Sequence, residues 1–189
     1  MRSRVLLAMV TMLAVGLPAT AAPGDRIVAA RDARNDVRLL GDGGGLTPFQ
    51  RRSIDLRLLT VDDAPGGVRF TARLPRITTS KKFHQMVFVR LLPAAGSEEA
   101  WSGDIGFSPQ SRELAYAYLN HPDGSFETCD PLRAKVQPRR HQVSLRVPNR
   151  CLPTEEARIR VTTLTGFFRS DADVHSRDRL VVSGKHRLR

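Results

Sequence analysis

Cysteine is scarce in this 189-residue chain, which has only Cys129 and Cys151. Two cysteines cannot build a disulfide-dense miniprotein or an all-cysteine zinc site. Lysine is rarer than expected beside arginine, 4 against 26, and there is one tryptophan and two tyrosines. Acidic side chains number 19 against 30 Lys and Arg, a formal net charge of +11. The motifs that announce common chemistries are missing too. There is no GxSxG nucleophile elbow, no P-loop, no GxGxxG and no HExxH. The five histidines, His84, His121, His141, His175 and His186, lack metal-ligand spacing with each other or with cysteine. No acidic pair is marked out as a glycosidase couple. The expectation is therefore a protein that is not an enzyme and has no cofactor, with calcium as the one open cation.

Long hydrophobic runs are also lacking, apart from one at the start. Residues 5–17 are apolar, follow Arg2 and Arg4, and precede Ala19-Thr20-Ala21. A charged start, an apolar centre and small residues at the end describe a secretory signal peptide. The run is shorter than the roughly 20 residues of a membrane span. The expected division is residues 1–21 as signal peptide and 22–189 as one domain, secreted or extracytoplasmic, with no transmembrane segment in the mature chain. The arginine bias, with abundant Ala, Val, Leu and Gly, suggests a GC-rich bacterial source.

What is present alternates with a period of two. Val68, Phe70, Ala72 and Leu74 interleave with Arg69, Thr71 and Arg73. Ala115, Ala117 and Leu119 interleave with Tyr116 and Tyr118, and Ile159, Val161 and Thr163 with Arg158, Arg160 and Thr162. Residues 86–92 are almost continuously apolar and read as a central strand. Ile54, Leu56, Leu58 and Thr60 are expected to share one face of a strand. Residues 170–177 are expected to form a polar loop, followed by a short strand over 180–183. Helical turns are allowed over 48–56 and over 154–157. Asp63-Ala64-Pro65-Gly66-Gly67 and Pro122-Asp123-Gly124-Ser125 are turn sequences. Short strands with Gly/Pro turns and apolar content of 41% predict an all-β fold, a single antiparallel β-sandwich or jelly roll.

In an oxidising compartment Cys129 and Cys151 are expected to bond. Residues 132–136 and 142–147 flank Pro138-Arg139-Arg140 as a hairpin centred near Arg140, equidistant from both cysteines. Matching the apolar faces pairs Val136 with Val143, one residue out of step with the cysteines. A bulge near Asn149 or Arg150 would reconcile the two registers.

Charge supplies the remaining signal. Arg133, Lys135, Arg139, Arg140, Arg146 and Arg150 surround the hairpin, Arg158 and Arg160 share a strand face, and Lys185, Arg187 and Arg189 end the chain. A single basic surface centred on Arg139, Arg140, Arg158 and Arg160 would suit an anionic cell-wall or cell-surface polymer, screened by salt. No specific nucleic acid is implied and no oligomeric state. Aromatic residues on a sheet face, Tyr116 and Tyr118 with Trp101 and Phe107 nearby, open the alternatives of a carbohydrate-binding accessory module or carbohydrate-active enzyme. A third reading is a structural secreted domain without a ligand. Asp32 with Asp36, Asp62 with Asp63, and Asp171 with Asp173 and Asp178 are acidic groups whose ordinary reading is turn chemistry and whose other reading is calcium.

Asp32-Ala33-Arg34-Asn35-Asp36-Val37, Ser53-Ile54-Asp55-Leu56, Cys129, Val147-Pro148-Asn149-Arg150-Cys151-Leu152 and Ala157-Arg158-Ile159-Arg160-Val161 form an ordered series. In that order the chain resembles uncharacterised secreted actinobacterial β-sandwich proteins. The resemblance implies a fold and a compartment and brings no activity. The acidic start is also similar to sandwich modules attached to extracellular carbohydrate-active enzymes, where an early aspartate supports a loop or an ion. This chain carries Asn35-Asp36 where those modules usually have Gly-Asp.

Overall fold

The computed structural model describes residues 24–41, 45–78, 83–93, 101–110, 115–129, 132–153, 155–166 and 174–188. The expected signal peptide, Asp171, Asp173 and Arg189 lie outside them. The strands in chain order are β1 (Arg26–Arg31), β2 (Arg38–Leu39), β3 (Leu58–Ala64), β4 (Gly67–Arg73), β5 (His84–Leu92), β6 (Ser102–Phe107) and β7 (Ala115–Asn120). They continue with β8 (Phe126–Thr128), β9 (Ala134–Gln137), β10 (Gln142–Pro148), β11 (Glu156–Gly166), β12 (Val174–Val181) and β13 (His186–Arg187). Among the described residues one short helix, α1 (Pro48–Arg51), runs into a 3-10 turn at Arg52–Ile54.

Among the described residues these strands make two antiparallel sheets packed face to face, an all-β sandwich. The first has the order β1-β3-β4-β10-β9. The second has the order β2-β12-β11-β5-β6-β7-β8, with β13 added beside β11. The alternating strands put one side chain in two inward, as a half-buried pleat requires. Phe70 of β4 and Leu145 of β10 thus meet Val89, Ile105, Phe107 and Ile159 of the second sheet in one core. No helix among the described residues is long and apolar enough to cross a membrane.

The β3–β4 hairpin turns on Pro65 and Gly66, where Gly66 has φ of +72°. Glycine takes that conformation without a steric cost. The β9–β10 hairpin has the expected Val136–Val143 pairing, with a 3-10 turn at Pro138–Arg140 and His141 in the left-handed region. The expected bulge near Asn149 is a 3-10 turn, Asn149–Cys151.

Cys129 and Cys151 are disulfide-bonded, with Cα atoms 5.9 Å apart. The route to that bond differs from a continued hairpin. Cys129 follows β8 and donates its N–H to the Ala117 carbonyl, in the second sheet. Cys151 follows β10, in the first. The chain changes sheets between Cys129 and β9, so the disulfide ties the two layers together.

Several expectations change. The strand expected over 54–60 starts at Leu58, and its phase changes: Leu59 and Val61 are fully buried while Leu58 and Thr60 line the outer face. The irregular stretch at residues 55–57, with Asp55 buried, shifts the alternation by one residue. The loop expected over 170–177 is, from Val174 onward, part of β12, and the separate short strand expected over 180–183 is the end of that same strand, which stops at Val181. Its inward residues include Ser176 and Asp178, which are polar and hydrogen-bonded, so the apolar stripe is missing there. The helical turn allowed over 154–157 is instead the start of β11 from Glu156 onward. The turn over 48–56 is found in α1: Thr47 caps it and Gln50 returns the bond, a reciprocal capping box, with Pro48 at its start.

Candidate functional site

The outer face of the five-stranded sheet is a concavity of about 550 Å3. Its cations are Arg26, Arg69, Arg133, Lys135, Arg140 and Arg146, and its one carboxylate is Asp62. Asp62 is already bonded to Arg26. The other five cations form no ion pair among the described residues. Between them lie hydroxyls of Thr60, Thr71 and Ser144 and amides of Gln137 and Gln142.

Strand register produces this grouping. Arg146 of β10 stands directly opposite Arg69 of β4, and Arg69 opposite Asp62 of β3. Lys135, Ser144, Thr71 and Thr60 form a second row across the sheet. Like charges directly opposite each other on a sheet are destabilising. Arg69 thus stands between a like charge, Arg146, and an opposite one, Asp62, which offsets that repulsion.

The outer face of the second sheet holds a different set. Its concavity, about 460 Å3, is lined by Phe88, Tyr116, Tyr118 and Leu164 and by Arg90, Arg160, Arg177 and Arg179. Arg90 makes a two-nitrogen pair with Asp104, at 2.6 and 3.1 Å. The Tyr116 and Tyr118 rings are 4.7 Å apart, and Phe126 meets Tyr118 edge-on at 5.4 Å. Phe126 is 62% exposed. The Tyr116 ring lies over Gly106, where any side chain would collide with it. Burial, aided by Tyr118 and Asp104, pushes the Tyr116 hydroxyl up to about 12, so it is a neutral hydrogen-bonding group at any physiological pH.

The expectation of one positive surface is corrected here. Arg140 lines the first concavity and Arg139 sits beside it in the same exposed turn. Arg158 and Arg160 project from β11 on the opposite side of the sandwich. Arg158 donates to the Pro93 carbonyl at 3.2 Å. Inward Ile159 and Val161 of the same strand place these arginines outward, and the core separates the two faces. Arg69, which alternates with the inward residues of β4, joins the hairpin cations because β4 pairs with β10.

A third group is acidic. One carboxylate oxygen from each of Asp32, Asp36 and Asp178 lies within 4.8 Å of the others. Burial, then the Asp178 charge, with smaller contributions from Asp36 and Asp55, raises Asp32 from 3.8 to about 6, against a lowering bond from the Ala33 N–H. Burial likewise raises Asp178, opposed by N–H bonds from Leu56 and Arg179. Asp62 and Asp63 do not join them: Asp62 pairs with Arg26 and Asp63 accepts from the Ala64 N–H.

No protein-family model matches this sequence, and no curated protein matches it, so the functional reading rests on the chain's own residues.

Proposed function

We propose that this is a secreted, non-catalytic binding protein whose five-stranded sheet receives an anionic cell-wall or cell-surface polymer. The observation that carries the reading is the first concavity: five cations without an acidic partner among the described residues, two of them forced into register, set among neutral hydroxyls and amides. Arginine forks suit phosphate oxygens, and the hydroxyls and amides suit the sugar or polyol between phosphates. Arg26, Arg69, Lys135 and Arg146 sit on paired strands, which hold their backbones in fixed rows, while Arg133 and Arg140 flank them from the segments beside β9.

The test is co-sedimentation of the purified protein with cell walls that retain or lack their anionic polymer, from low to physiological salt. Saturable binding that needs the polymer is expected. Arg69→Ala with Arg146→Ala is expected to weaken it at least tenfold and to flatten its salt dependence. Arg158→Ala with Arg160→Ala, on the other face, is expected to leave it within twofold. Equal binding to stripped walls would refute the proposal.

A second reading is favoured by one observation, the Tyr116–Tyr118–Phe126 aromatic group on the second sheet. Aromatic faces stack on sugar rings, which would make the protein a carbohydrate-binding module. Retarded migration in gels containing a neutral polysaccharide, abolished by Tyr118→Ala, would support it. Unretarded migration across a panel of neutral polysaccharides would count against it.

A further inference from the structure

The Asp32, Asp36 and Asp178 group spans the sandwich. Asp32 and Asp36 lie in the connection that leaves β1 in the first sheet and reaches β2 in the second. Asp178 lies on β12, next to β2. A fourth carboxylate, Asp55, stands against the same group. It accepts the N–H of Asn35, between Asp32 and Asp36, at 2.9 Å, and its charge acts on both Asp32 and Asp178.

Asp55 is 1% exposed. Its Oδ2 meets Arg57 at 2.8 Å, but its Oδ1 is buried with no hydrogen-bond partner among the described residues. Asp32 Oδ2 is in the same condition. A buried carboxylate oxygen left without a donor is costly in an ordinary interior. Against these four carboxylates, the one cation paired with the group among the described residues is Arg57, and it engages Asp55. The group has unspent acceptors and unbalanced charge in the same place.

We infer that Asp32, Asp36 and Asp178, with Asp55 behind them, form a calcium site that fastens the β1–β2 connection to β12. All the donors are oxygens, which selects a hard cation. Calcium–oxygen distances of about 2.3–2.6 Å put opposite ligands about 4.6–5.2 Å apart, and magnesium would draw them to about 4.2 Å. The three oxygens lie within 4.8 Å of one another, inside the span that opposite calcium ligands can cover. Backbone carbonyls of the 32–37 loop and water would complete the six to eight oxygens that calcium takes. The bound ion would join the two sheets on their acidic side, as the disulfide joins them elsewhere.

The experiment is calorimetric titration of the chelator-treated protein with CaCl2 and with MgCl2, alongside thermal unfolding in each salt. One calcium per chain is expected, with a dissociation constant of roughly 0.1–1 mM, the range of extracellular modules. Calcium is expected to raise the unfolding temperature, and magnesium at the same concentration to raise it less. Asp36→Ala is the informative variant, because Asp36 is exposed and its loss should leave folding intact. It is expected to weaken calcium binding at least tenfold and to remove the thermal shift, whereas Asp25→Ala, outside the group, is expected to keep both. Asp32→Asn gives a second check on the same loss. No heat and no thermal shift in the unsubstituted protein would overturn the inference. So would a calcium response that survives both Asp36→Ala and Asp32→Asn, or an equal response to magnesium.

Discussion

Buried polar side chains carry much of the individuality of this sandwich. Gln85 is fully buried on β5. Its amide nitrogen donates to the Ser53 hydroxyl at 2.9 Å and the Arg76 carbonyl at 2.8 Å, and its oxygen accepts from the Thr78 N–H and the Gln110 amide, each at 3.0 Å. Replacing it leaves several buried groups unsatisfied. Gln85→Ala should lower stability by about 3 kcal/mol, read as a lower urea midpoint, because each stranded group costs roughly 1–3 kcal/mol. An unchanged midpoint would show that water replaces the bonds.

Asp32 has a pH signature of its own in chelator. Its folded carboxyl titrates near 6 against 3.8 for the free group. Between those values the native chain keeps a proton that the unfolded chain has released. The stability this group contributes is therefore full below its unfolded pKa and is lost as pH rises through about 6. Asp32→Asn cannot ionise, so it should unfold at a higher temperature than the unsubstituted protein above pH 6 and lose that advantage at pH 4 and below. A constant difference across the range would count against the titration.

At the scale of elements, two ties connect the layers. One is the Cys129–Cys151 bond, which closes a separation of 22 residues. On the chain-entropy account a loop of that length is worth about 3 kcal/mol. Cys129→Ala with Cys151→Ala should therefore move the urea midpoint down while leaving the native β-rich circular dichroism unchanged. The other tie is α1 and the turn after it. The Ser176 hydroxyl donates to the Arg51 carbonyl and the Thr163 hydroxyl to the Ile54 carbonyl, each at 2.6 Å. Helix-end carbonyls that α1 itself cannot satisfy are thus met by inward hydroxyls of β12 and β11. Inward Ser176 and Asp178 break the apolar pattern of β12 and hide its first half from a periodicity argument, whereas Val68 through Leu74 and Ile159 through Thr163 keep an unbroken alternation and are legible.

For the whole molecule, the net charge of +11 is not spread evenly. Among the described residues, five cations without an ion pair line the outer face of the five-stranded sheet, against three on the second sheet, Arg160, Arg177 and Arg179, which stand beside aromatic rings and the Arg90–Asp104 pair. Binding of an anionic polymer should therefore fall with salt, and removing Arg69 and Arg146 together should reduce the log–log salt slope by about 1.5, as release of two counterions requires. A slope equal to that of the unsubstituted protein would place the polymer elsewhere, and loss with Arg158→Ala and Arg160→Ala instead would assign it to the second sheet.

The amino-acid sequence alone determined the strand class, the β9–β10 register and the pairing of the two cysteines. These rest on local periodicity, turn residues and the small number of cysteines, all of which act over short stretches of chain. Tertiary structure decided which strands became neighbours. That choice put Arg69 beside Arg146, parted Arg140 from Arg160 by a whole core, and turned the disulfide into a bridge between sheets. It also brought Asp178 to Asp32 and Asp36 from the far end of the chain. Long-range pairing is set by how two apolar faces bury each other, and the polar residues on the opposite faces are carried into their groupings by that burial, so no local pattern among them records where they meet.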